Sequence, residues 1–123
     1  LRGFRLYDLG TLWHEWTGLP MVYAVWAARV DFLRSRRNDI LRVESILRGA
    51  MDVSLTEEAA LVQSALGRYR FGRSCMTRYF RLLQYDFTPD FQAGLLRYYQ
   101  LAHEAGETPE VLDLRFLDEG DLA

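Results

Sequence analysis

Met21–Ala28 is the stretch that most restricts how this chain can fold. Its eight residues carry no charge and are drawn from Met, Val, Tyr, Ala and Trp. That length, with β-branched and aromatic residues mixed in, predicts a strand buried on both faces. A strand of that kind has backbone groups that must pair on either side. The residues before it predict a helix, because Leu9, Leu12, Trp13 and Trp16 repeat at i, i+3, i+4 and i+7. Asp8 is placed to cap that helix and Gly18 to end it in a left-handed turn. Pro20 then blocks a helical restart. The opening therefore reads as helix, tight turn and buried strand, with Trp13 and Trp16 crowded at the junction.

Beyond Arg29 the pattern turns helical. Ile40, Val43, Leu47 and Ala50 share one face, with Gly49 or the 52–54 region as the stop. Ser54 and Glu57 have the spacing of a capping box, opening a helix that carries Leu61, Val62, Ala65, Leu66 and Tyr69. Met76, Tyr79, Phe80 and Leu83 make another apolar face. Thr88 and Pro89 suit a cap followed by proline at the first helical position. The helix after them carries Phe91, Leu95, Tyr98 and Ala102 and closes at Gly106. Leu112, Leu114 and Phe116 alternate, which predicts a short final strand.

This inventory is lopsided, with one or two strands among four or five helices and no partner for the first strand. The expectation is an α/β fold of which these 123 residues form a helix-rich C-terminal part. The competing reading is a small helical domain in which Met21–Ala28 is one more buried helix. The formal charge of −2 gives no reason to expect a nucleic-acid or acidic-membrane partner. The cluster Arg34, Arg36 and Arg37, flanked by Asp31 and Asp39, reads as a solvated face or helix entry. No apolar run reaches the roughly 18 residues of a membrane-spanning helix.

Single reactive residues carry little. Cys75 is the only cysteine, so no intramolecular disulfide can form, and it reads as a small buried hydrophobe. His14 lies off the apolar face of its helix and reads as a surface histidine rather than a general base. His103 falls in the last turn of a helix, where the dipole favours it. No metal-ligand spacing, glycine-rich phosphate loop or nucleophile elbow is present. The Thr17–Pro20 turn and its tryptophans divide evenly between core and the wall of a ligand cleft. A turn that sets aromatics beside free backbone N–H groups would suit a flat anionic ligand.

Asp8, Leu9, Gly10, Trp13, Glu15–Pro20, Val22, Ala24, Trp26, Ala27 and Arg29 together resemble the signature of the chorismate dehydratase family of the futalosine route to menaquinone. The later helices fit the C-terminal half of that family, with the specificity concentrated in residues 8–29. The resemblance implies a periplasmic-binding-protein-like type II two-lobed fold working in the cytoplasm. Residues 1–20 would end the second lobe and form the hinge. Residues 21–123 would return to the first lobe as a crossing strand with covering helices. It implies loss of water from chorismate to give 3-[(1-carboxyvinyl)oxy]benzoate, without cofactor or metal. The partner would be that small-molecule substrate, not nucleic acid or membrane. The catalytic residues would lie in an N-terminal part of the same chain, so that this piece alone is inactive. Within this piece the resemblance makes Trp16, Thr17, Leu19, Pro20 and Tyr23 a substrate-binding wall and hinge, with a carboxylate-partner role for Arg29 disfavoured. The family commonly has Phe where this chain has Met21 and Tyr23. Alternatives are the sister enzyme acting on cyclic dehypoxanthine futalosine, a non-catalytic solute-binding protein of the same fold, and a self-contained helical interaction module. The bulky residues of Met21–Trp26 speak against the sister enzyme, whose turn leads into a smaller, glycine-containing strand.

Overall fold

A computed structural model describes residues 3–117. Among them are five helices: α1 (Leu9–Thr17), α2 (Val30–Thr56), α3 (Glu58–Leu66), α4 (Arg73–Leu82) and α5 (Pro89–Glu104). The chain divides into two compact units. One takes the residues through Trp26 together with those from Phe87 onward, and the other is Ala27–Asp86.

In the first unit the local signals act as their chemistry dictates. The Asp8 carboxylate accepts the Thr11 amide at 2.7 Å and so occupies one of the orphan donors of α1. That bond holds the Asp8 pKa below its ordinary value. Gly18 adopts φ 72°, and its amide returns to the His14 carbonyl at 2.8 Å. Pro89 occupies the first turn of α5. The Thr88 hydroxyl makes no capping bond; instead Gln92 donates its side-chain amide to the Phe87 carbonyl at 3.0 Å. At the other end Gly106, at φ 80°, lets the Glu107 amide reach the Ala102 carbonyl at 2.9 Å. His103 closes the same turn through Nδ1, 3.0 Å from the Thr108 carbonyl. Trp13 is buried, and its ring lies 6.0 Å from that of Tyr98 on α5.

The second unit is built on α3 and α4. Val62, Ala65 and Met76 are buried together, with Leu66 and Phe80 packed against them. Arg81 near the end of α4 makes a two-pronged bond to Glu58 at the start of α3, at 2.6 and 2.8 Å. Arg73 at the start of α4 donates to Gln63 near the end of α3. The two helices therefore run antiparallel, joined by the loop 67–72. Helix α2 is kinked at Arg36 (φ −134°, ψ 36°). One residue earlier the Ser35 hydroxyl donates back to the Asp31 and Phe32 carbonyls at 3.0 and 3.3 Å, a bond of the kind that bends helices.

Several sequence expectations are corrected here. No strand forms among the described residues, so the α/β, two-lobed architecture is not what this chain adopts. Met21–Ala28 is neither strand nor helix; Tyr23 and Trp26 are 74% and 85% exposed, not buried on both faces. A strand requires a pairing edge, and the alternating Leu112–Phe116 segment supplies none, being irregular itself. The capping box does not form. Helix α2 runs past Gly49 to Thr56, and the Ser54 hydroxyl donates back to the Met51 carbonyl at 2.7 Å. The break falls at Glu57, which caps α3 without a side-chain bond. Cys75 is exposed on α4, not buried.

Candidate functional site

The Trp13–Tyr23 stretch is organised by one hydrogen-bonded turn. Trp13 points its indole Nε1–H at the Pro20 carbonyl, 3.2 Å away. Thr17 donates its hydroxyl to the Trp13 carbonyl at 2.8 Å and accepts the Leu19 amide at 3.2 Å. With the Gly18 amide on His14, the donors of the turn are consumed internally. The expectation of free N–H groups for an anionic ligand is therefore corrected: Gly18 and Leu19 have spent theirs, and Pro20 has none. Helix α5 presses the turn from behind. A methyl group at Gly94 would collide with the Pro20 carbonyl, so only glycine admits this approach.

The expected wall residues consequently separate. Trp16 is 69% exposed and stands edge-on to Trp13, ring centroids 6.0 Å apart at 88°. Thr17 and Leu19 are builders of the turn. Pro20 and Tyr23 line an open groove of about 550 Å³ beside α1, and Trp16, Thr17 and Leu19 lie outside its lining. The Tyr23 ring reaches over the first turn of α1, where its hydroxyl occupies the space a side chain at Gly10 would need.

Sequence reasoning missed the rest of that groove, which Asp8, Gly10, Thr11, His14 and Glu15 line from α1 and its cap, with Met21 beside Pro20. The signal was present in the i, i+3, i+7 spacing of Asp8, Thr11 and Glu15. His14 Nδ1 lies 3.3 Å from the Leu19 carbonyl; since a carbonyl only accepts, the bond places the ring proton on Nδ1. Two carboxylates and no arginine line the groove, so its residues offer no charge partner to an anion. Arg29, disfavoured as a carboxylate partner from the sequence, is committed through Nε and Nη2 to Asp31 at 3.0 and 2.7 Å. That pairing lowers the Asp31 pKa and raises that of Arg29. Among the described residues no three His, Cys, Asp or Glu side chains converge as metal ligands would. Among the described residues no helix is long and apolar enough to cross a membrane.

No solved structure matches the chain. A family profile described as menaquinone biosynthesis matches residues 2–104. That span takes in the capped helix, its locked turn and everything through the end of α5, and the chain thus belongs to the menaquinone biosynthesis family.

Proposed function

We propose that the step this protein serves is the dehydration of chorismate to 3-[(1-carboxyvinyl)oxy]benzoate. The observation that carries the reading is the turn itself. Trp13, Thr17, Gly18, Leu19 and Pro20 of the resembling signature close into one bonded unit. That unit leaves the aromatic rings of Trp16 and Tyr23 largely uncovered. Such a surface suits a flat, apolar ring flanked by polar groups.

The reaction removes one ring proton and one hydroxyl from adjacent carbons and leaves an aromatic ring. Aromatisation supplies much of the driving force. The protein must hold the diene, accept the proton and assist the departing hydroxyl. In this reading the exposed ring of Trp16 is the surface against which the substrate ring lies, Thr17 and Leu19 keep the turn in shape, and Pro20 and Tyr23 belong to the groove beside α1. Neither proton transfer nor recognition of the two substrate carboxylates is given to these residues. Asp8 and Glu15 would repel an anion, and the Thr17 hydroxyl is engaged at both ends.

Incubation with chorismate of this chain joined to the N-terminal part that the resemblance implies, followed by chromatography and mass detection, tests the assignment. The expected result is an aromatic product that has lost one water. Turnover of cyclic dehypoxanthine futalosine in place of chorismate would move the protein to the sister step. Saturable binding of chorismate without turnover would make it a solute-binding protein instead.

A further inference from the structure

The near-neutral charge of the whole chain conceals a local excess. From Ala59 to Tyr85 there are five arginines and not one acidic residue. Arg81 is neutralised by Glu58. The other four, Arg68, Arg70, Arg73 and Arg78, make no ion pair among the described residues, and the bond from Arg73 to the neutral Gln63 leaves its charge uncompensated. Arg68 and Arg70 lie in the loop 67–72, and Arg73 directly follows it; the loop joins α3 to α4 at the end of the hairpin away from the Glu58–Arg81 pair. In that loop they alternate with Tyr69 and Phe71, which are 57% and 59% exposed. Trp16, Tyr23 and Trp26 are more exposed still; what marks Tyr69 and Phe71 is that they stand between uncompensated arginines and outside the Val62–Ala65–Met76 core.

We propose that the tip of the α3–α4 hairpin docks the protein on an anionic phospholipid bilayer. Arginines pair with lipid phosphates, and an aromatic ring settles at the headgroup level, where its apolar body and the polar interface are both satisfied. A single-stranded nucleic acid would use the same residue types, but it binds along a track of successive stacking platforms. Here two aromatics share one six-residue turn between packed helices, a footprint that matches a surface better than a strand.

Flotation of the whole protein with vesicles tests this. One set is phosphatidylcholine alone, and in the other roughly a third of the lipid is phosphatidylglycerol. Binding is expected only to the anionic set, and to weaken as salt is raised from about 0.1 M to about 0.5 M. Each arginine near such a surface contributes roughly a fivefold gain in partition, so Arg68→Gln, Arg70→Gln and Arg73→Gln combined should lower it on the order of a hundredfold. Phe71→Ser should lower it further. All four side chains are exposed, and although Arg73 bonds Gln63 across the hairpin, the Glu58–Arg81 bond and the Val62–Ala65–Met76 core remain, so circular dichroism should be unchanged. Arg34→Gln with Arg42→Gln, exposed arginines on α2, should leave binding as it was. Equal partition into both vesicle sets, or equal loss in the α2 control, overturns the proposal. So does capture of labelled single-stranded RNA, abolished in the triple variant, without vesicle binding.

Discussion

Two glycines in helices show how context sets the sign of a single substitution. Gly49 lies in α2 with nothing within 4 Å of where a Cβ would stand. Gly49→Ala should therefore stabilise by about 0.5–1 kcal/mol, through helix propensity and a less flexible unfolded chain. Gly94 lies in α5 against backbone, the Pro20 carbonyl that also receives the Trp13 indole. Gly94→Ala gains the same propensity, but the turn or the helix must then shift. Overpacking of this kind typically costs about 1–3 kcal/mol, which exceeds the gain. Thermal unfolding of the two variants should move in opposite directions. The thiol of Cys75 gives a third test: its exposure predicts that the native protein reacts with Ellman's reagent as fast as the unfolded one. The buried position read from sequence would make the native reaction slow.

Helix ends were legible where one side chain decides them. Asp8 and Gly18 bound α1, and Pro89 and Gly106 bound α5, because a capping carboxylate, a left-handed glycine and a proline without an amide proton act locally. The ends of α2 were not, since Gly49 and Ser54 are tolerated inside a helix when their neighbours propagate it. The antiparallel pairing of α3 and α4 was also beyond a local pattern, being made by side chains 23 and 10 residues apart in sequence. The Glu58–Arg81 bond has a defined pH signature. Its hydrogen bond from Arg81 lowers the folded Glu58 pKa below the ordinary 4.5, so the unfolded chain binds the proton more readily. The stabilisation is thus full above the ordinary glutamate range and is lost as pH falls through the lowered value. Arg81→Gln should narrow the difference in urea midpoint between neutral and acidic solution. Because both partners are solvent-exposed, the change should be modest and shrink in salt.

At the scale of the molecule, the turn from Trp13 to Pro20 was more legible than the fold, although the wall expected from it separates. The signature residues from Asp8 to Arg29 pointed to one organised stretch. Nearly all of its turn-forming positions, from Trp13 to Pro20, prove to be bonded to one another. The fold class failed on Met21–Ala28. Composition describes what a segment tolerates, whereas a strand is a statement about another segment, and no pairing partner can be deduced from eight uncharged residues. The functional reading is narrower as a result. Membership of the menaquinone biosynthesis family rests on residues 2–104, and the contribution proposed for this stretch is an aromatic wall held by a saturated turn. Trp16 separates that role from mere packing, since it is exposed and outside the buried set. The most direct measurement compares kcat/KM for chorismate in the full-length protein, N-terminal part included, and in its Trp16→Ala variant, with unfolding of both recorded alongside. The wall predicts a fall of roughly tenfold or more, equivalent to at least about 1.4 kcal/mol of lost binding, with stability changed by less than about 0.5 kcal/mol. An unchanged kcat/KM would contradict it.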